Sequence, residues 1–308
     1  MSRLRALFLS IAILFIFAPW TPCRPNDMGS TSGTSSAMEG NATTRSGVTI
    51  HYLQSGESGN PHALVLIPGW RLPAYLWAGQ LHEFAQTMRV IAIDPRSQGP
   101  STKTREGNSP EGRAEDLHEV MAALGISRPV LVGWSQGAQD VAAYLQQYGS
   151  ASVAGIVLVD SPVSIGPGEV KEHPEFSQAI LSGVAAYMSD PQAYSRGMVR
   201  SLFKQPHPDL DFEGIVKAVL QTPVDTGTAM LIADIFGADR MSALAKLDKP
   251  ALVIAASSSR LLAQQKEMAA KIPRAKFLAI DDAGHAVFVD QPKQFNAALR
   301  DFLAALDH

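Results

Sequence analysis

The chain has 308 residues, 46% of them hydrophobic and 18% charged, with a formal net charge of −3. That much apolar material can bury a sizeable core in one large domain, or in a domain carrying an insertion. The slightly acidic balance leaves no basic surplus to neutralise phosphates, which argues against a nucleic-acid partner, and the single cysteine excludes an intramolecular disulfide.

At the N-terminus Arg3 and Arg5 precede the apolar run "ALFLSIAILFIFA", Ala6 to Ala18. The run is shorter than the ~20 residues of a membrane-spanning helix. A short basic segment followed by such a run has the layout of a secretory signal peptide, here residues 1–22. The expectation is therefore an exported protein, periplasmic or secreted, with no stable membrane span in the mature chain. Cys23 stands where bacterial lipoproteins carry their lipid, although Trp20-Thr21-Pro22 departs from the small-residue pattern of that signal. Lipid anchoring through Cys23 is a secondary expectation. Residues 23–46, rich in Gly, Ser and Thr with almost no apolar content, read as a flexible tether.

From Gly47 the chain alternates β-rich runs with amphipathic stretches. "VTIHYLQ" (Val48 to Gln54) has the pattern of a half-buried strand. "ALVLIP" (Ala63 to Pro68), "RVIAID" (Arg89 to Asp94), "PVLVG" (Pro129 to Gly133), "GIVLVD" (Gly155 to Asp160), "PALVIAA" (Pro250 to Ala256) and "KFLAI" (Lys276 to Ile280) are nearly continuous apolar runs. Such runs suit parallel strands covered on both faces. Helices are expected over Leu76–Thr87, Pro110–Leu124 (Ser109 as N-cap, Gly125 as stop), Ser135–Gln147, Leu261–Lys271 and Gln291–Leu306. The alternation predicts an α/β fold with a doubly wound, mostly parallel sheet, whose ligands bind beyond the carboxyl ends of its strands.

Between Ser161 and Arg240 the rhythm breaks. Helical patterns such as "EFSQAILSGVAAYM" and "TGTAMLIADIF" follow one another without a convincing strand. About eighty residues is too long for a loop in a compact domain. Residues 161–240 are therefore expected to form a helical cap, inserted between core segments 47–160 and 241–308.

Two stretches carry chemistry. "GWSQG", Gly133 to Gly137, lies between a strand and a helix. A G-x-S-x-G arises by chance in roughly one chain in ten of this length, so its context decides. A sharp strand-to-helix turn needs small flanking residues and pushes the Ser135 hydroxyl into the open, beside the free N–H groups of a helix start. A nucleophilic serine needs a base, and His285 is the histidine with a supporting pattern. It follows the last strand in "AIDDAGHAVFVDQP", on a loop at the same carboxyl edge as Ser135. His51, His62, His82, His118, His173, His207 and His308 have no such pattern and read as solvated or incidental.

These motifs, with "LIPGW" and with "DPRSQGPS" (Asp94 to Ser101), resemble the α/β-hydrolase fold superfamily in its haloperoxidase-like esterase branch. The likeness runs from about Gly47 to the C-terminus. It implies a sheet of the eight-stranded type and an oxyanion hole made by the backbone N–H groups of Trp70 and Gln136. Where the branch usually reads His-Gly, this chain has Pro68-Gly69, which keeps the donor and loses the histidine bracing. Relatives mostly carry the triad acid just after the strand at "PALVIAA", where this chain has Ser259. Serine can hold a histidine tautomer but cannot carry the charge that balances an imidazolium. Some relatives take the acid from the end of the preceding core strand, where Asp160 stands. Its bland alternative is a loop or capping residue. Asp281, Asp282 and Asp290 rank lower, because near neighbours on one loop rarely reach the far ring nitrogen.

Taken together, the resemblance implies a serine esterase that cleaves carboxylic esters or lactones through Ser135, His285 and Asp160. No metal or organic cofactor is expected: no His/Cys/Asp cluster has ligand spacing, and "GWSQGAQ" lacks the dinucleotide fingerprint. Gly69 and Trp134, with Trp70, Trp77 and the Met/Phe/Leu-rich insertion, suggest an apolar pocket for small to medium hydrophobic substrates. Carbon–carbon bond hydrolysis, thioester hydrolysis, haloperoxidase side activity and non-catalytic ligand binding remain alternatives on the same fold. The sequence is silent on oligomeric state.

Overall fold

The computed structural model describes residues 37–57 and 63–306. The expected signal peptide, Cys23 and the first part of the tether lie outside them. Within them, eight strands join in one sheet: β1 (Met38–Thr43), β2 (Thr49–Ser55), β3 (Ala63–Ile67), β4 (Arg89–Ile93), β5 (Val130–Trp134), β6 (Gly155–Val159), β7 (Ala251–Ala256) and β8 (Ala275–Ile280). Their spatial order is β1-β2-β4-β3-β5-β6-β7-β8. β1 and β2 pair antiparallel, as do β2 and β4, and every other pairing is parallel.

Every residue of β3 to β7 is buried, because successive side chains feed two cores on opposite faces. In β6, Ile156 and Leu158 join one core while Val157 and Val159 join the other. Burying each such side chain contributes on the order of 1.5–3 kcal/mol. One face is covered by α2 (Pro110–Ala123), α3 (Gln136–Tyr148), α9 (Met241–Leu244) and α10 (Leu262–Lys271). The other carries α1 (Ala78–Phe84), α11 (Val287–Asp290) and α12 (Pro292–Ala304). α2 starts as its sequence signals: Ser109 caps it by accepting from Gly112 N, with Pro110 in the first turn.

Between β6 and β7 lie α4 (Glu169–Glu172), α5 (Pro174–Ser189), α6 (Pro191–Ser201), α7 (Phe212–Val219) and α8 (Val224–Phe236). Among the described residues this segment contains no strand, only an isolated bridge between Ile165 and Asp239.

The tether reading needs correction at its C-terminal end. Met38–Thr43 forms β1, in register from Met38 opposite Gln54 to Thr43 opposite Thr49. An edge strand needs only one partner and one half-covered face, so its apolar signal is faint; Ala42 is its one buried residue. The helix expected over Leu76–Thr87 is a 3-10 turn, Ala74–Trp77, followed by the short α1.

Candidate active site

Sheet ladders continue one residue past the strands at the carboxyl edge. Ser135 N donates to Val159 O (3.0 Å), Asp160 N to Ile254 O (2.7 Å) and Ser257 N to Ile280 O (2.9 Å). The loops after β5, β6 and β7 are thus fixed from their first residue, which sets Ser135 and Asp160 on neighbouring strand ends.

Ser135 adopts φ 56°, ψ −116°, a backbone conformation that costs about 1–3 kcal/mol for a residue with a Cβ. The chain reaches it because its flanks are bare: a Cβ on Gly133 would drive into the Gly137 carbonyl, and one on Gly137 would lie 2.5 Å from Ile67 O. Although Ser135 stands at the N-cap position of α3, its hydroxyl does not cap the helix. It lies instead beside Gly69, where a Cβ would sit 3.5 Å from Ser135 Oγ. The Gly69 carbonyl closes a tight turn by accepting from Leu72 N (3.0 Å).

His285 Nδ1 is 2.8 Å from Asp160 Oδ2. The other Asp160 oxygen accepts from Ala256 N (3.0 Å) and Gln265 Nε2 (3.1 Å). Burial works against ionising Asp160, but the bonds from His285, Gln265 and Ala256 outweigh it and hold the carboxyl below its usual range. An ionised carboxylate only accepts, so Nδ1 is the nitrogen that donates to it, and in the neutral imidazole this tautomer makes Nε2 the acceptor. Among the described residues no hydrogen bond joins Ser135 Oγ to His285. The imidazole ring packs 5.4 Å from the Trp134 ring, one residue from the serine.

Asp160 therefore reaches the histidine, and Ser259 does not. Ser259 Oγ is instead 3.2 Å from Gln265 Nε2, which bridges it to Asp160. Gln265 escaped the sequence reading; its i, i+3, i+4 spacing with Met268 and Ala269, which puts a polar residue on the buried face of α10, was the available signal. Asp290 has a different task from that of an acid on His285. Its Oδ2 accepts from Gly284 N (2.6 Å) and Lys204 N (2.9 Å), and its Oδ1 pairs with His207 Nε2 (2.6 Å), clamping the histidine loop. His207 and His51, the latter 2.8 Å from Asp94, thus have carboxylate partners that an incidental reading did not foresee.

Trp134 corrects a second expectation. It is fully buried, donates through Nε1 to His285 O (2.8 Å), and meets Trp77 and Phe288 edge-on at 6.3 and 4.9 Å. Trp77 is likewise buried and stacks on Phe288 at 3.8 Å. Both rings belong to the core and brace the loop; neither lines a pocket, because the sheet face beneath them is covered by α1, α11 and α12.

Trp70 and Gln136 tie the carboxyl edge of the sheet to the helical segment. Trp70 Nε1 donates to Gly227 O of α8 (2.9 Å). Gln136 Nε2 donates to Asp234 of α8, and Gln98 Nε2 donates to Gln136 Oε1 (3.2 Å). Asp234 also accepts from Arg113 (2.6 Å), which in turn pairs with Asp140 (2.8 Å). Burial, together with the nearby Asp234 charge, pushes Asp140 up to about 6 against the pull of Arg113. Beside Trp70, Arg71 has φ 61° and is fully buried.

Among the described residues no group of three or more His, Cys, Asp or Glu side chains could hold a metal ion, and no helix is long and apolar enough to cross a membrane. Residues 62–292 match the family model of the alpha/beta hydrolase fold. The chain is 28% identical over 270–280 residues to non-heme chloroperoxidase sequences, including one from Kitasatospora aureofaciens matched over 85% of this chain and 98% of that one. It is 27% identical to N-formylmaleamate deformylase of Pseudomonas putida, over 87% and 98% of the two chains. Among solved structures it superposes on an esterase from Exiguobacterium antarcticum with a TM-score of 0.76, at 18% identity and over 88% and 100% of the chains. The chain belongs to the α/β-hydrolase superfamily, in its haloperoxidase-like branch.

Proposed function

We propose that the protein is a serine hydrolase of carboxylic esters, lactones included, with Ser135 as nucleophile, His285 as base and Asp160 as the acid that orients and balances it. The observation that carries this reading is the Nδ1–Oδ2 bond of 2.8 Å between His285 and Asp160, on a loop edge shared with a serine held in a strained strand-to-helix turn. Ser135 Oγ attacks the ester carbonyl carbon and passes its proton to His285 Nε2. The carbonyl π electrons move onto oxygen, which the backbone N–H groups of Trp70 and Gln136 receive. Each such donor contributes roughly 3 kcal/mol to the transition state.

As the oxyanion collapses, the carbon–oxygen bond to the alcohol breaks and His285 gives the alcohol its proton. Water then attacks the acyl-enzyme with the same base, releasing the carboxylic acid and restoring Ser135. The Ser135–His285 hydrogen bond used in this step forms as substrate binds, since catalytic hydrogen bonds commonly tighten only in the substrate complex. Helices α4 to α8 act as a cap over this edge, with Trp70 and Gln136 as its points of attachment.

Labelling by a fluorophosphonate probe tests the proposal. The intact protein is expected to label at neutral pH and Ser135→Ala to stay unlabelled; an unlabelled intact protein overturns it in favour of a ligand-binding role.

A further inference from the structure

Arg71 is a buried cation without a counter-ion. Among the described residues no carboxylate pairs with it. Its Nη1 donates to Ser195 Oγ (3.0 Å) and Val219 O (3.4 Å), and its Nη2 lies 3.6 Å from Met198 Sδ. The guanidinium carbon lies 3.9 Å from the centre of the Trp70 ring and 4.2 Å from that of Tyr187. Aromatic faces and neutral acceptors soften the loss of water, yet they bring no negative charge. Two polar atoms of this contact are buried with no partner, Arg71 Nε itself and Tyr187 Oη, and both side chains border Gly227, whose carbonyl receives Trp70. Unsatisfied donors of this kind call for an explanation, and they cluster one residue from a proposed oxyanion donor.

A second buried arginine shows what this chain does where a cation is only structural. Arg113 pairs with both Asp140 and Asp234. Arg71 has no such neutralisation, and its loop is the one whose Gly69 abuts Ser135. From this contrast, and resting on the ester-hydrolase reading, we infer that Arg71 anchors an anion-selective subsite: the substrate is an ester or lactone that also bears a carboxylate, which supplies the missing counter-ion. Tyr187, whose ring lies 4.2 Å from the guanidinium, offers the hydroxyl donor that completes its recognition. The positive charge behind Trp70 then sets specificity, in place of the plain hydrophobic fit the sequence suggested. Attraction to the guanidinium, less the cost of stripping water from the carboxylate, is expected to favour the charged ester by at least about tenfold in kcat/KM.

The experiment compares mono-4-nitrophenyl adipate with two neutral controls, 4-nitrophenyl hexanoate and the methyl ester of the adipate probe. The intact protein is expected to favour the adipate by at least tenfold in kcat/KM. Arg71→Met should abolish that preference, whatever it does to the neutral esters, while Arg71→Lys should keep part of it. Equal losses on charged and neutral esters would show that Arg71 only ties the helices to the loop, and would overturn the inference. So would an intact protein without preference. Calorimetric titration of the intact protein and both variants with free adipate reads the subsite without turnover. Arg71-dependent adipate binding in a protein that cleaves none of the esters would leave the subsite standing and remove the hydrolase reading; no binding, with ester cleavage intact and indifferent to charge, would do the reverse. Should Arg71→Met fail to fold, the preference of the intact protein and the response of Arg71→Lys decide.

Discussion

Among the described residues two serine–histidine–aspartate groupings stand in contrast, and the proposed chemistry uses one of them. At the carboxyl edge His285 Nδ1 meets Asp160 at 2.8 Å; on the antiparallel side of the sheet His51 Nδ1 meets Asp94 at the same 2.8 Å. Ser101 stands beside the second pair, but its hydroxyl is consumed: it donates to Asp94 O (2.5 Å) and accepts from His51 N (2.8 Å). Asp94 is also engaged by Ala74 N (2.8 Å). Ser135, by contrast, makes no capping bond, sits in a strained turn and adjoins the open start of α3. A histidine–carboxylate pair is therefore a common structural clasp. What distinguishes a reacting site is a hydroxyl left free and backbone donors beside it.

The largest test of this difference removes the acid at each place. Asp160→Asn is expected to lower kcat on a chromogenic short-chain ester by about 10⁴-fold, because the amide favours the wrong tautomer, and to cost about 1–3 kcal/mol of stability through its buried bonds to Ala256 N and Gln265. Asp94→Asn should share only the second effect, destabilising the fold by about 1–3 kcal/mol through lost buried bonds while the folded fraction keeps turning over. Steady-state kinetics with denaturant unfolding on the same samples reads both. If Asp160→Asn keeps most of the wild-type rate, the assignment of the acid fails.

An intermediate effect sharpens the line between structural charge and site chemistry. Arg113→Met strands Asp140 and Asp234 in the interior, and breaking a buried pair in this way costs about 3–5 kcal/mol. The urea midpoint should drop accordingly, and adding Asp140→Asn to that variant should restore part of the loss by removing one of the stranded charges.

The smallest expected effect is on pH dependence. The bond to Asp94 raises His51 above its ordinary value, against burial. A raised histidine stabilises the fold fully below its unfolded pKa of about 6.5 and loses that contribution as pH rises through the folded value. Unfolding free energies should therefore fall across that window in the intact protein, and the slope should flatten in His51→Gln. An identical slope in both would remove His51 as its source.

The sequence by itself determined whatever is written in local periodicity. Continuous apolar runs marked the two-faced strands, and Gly133, Gly137 and the following helix pattern marked the turn that holds Ser135. His285 was legible because it follows the last strand on a loop. Partnership across the chain was not legible. Asp160 and Ser259 both stood at strand ends, and the order β5-β6-β7 together with Gln265 decided which of them touches His285, 125 residues away. Tertiary packing alone turned Trp134 into the core, paired Met38–Thr43 with β2 and left Arg71 buried without an anion. Periodicity reports which side of an element is covered, whereas the neighbour that covers it depends on strand order and on distant segments of chain.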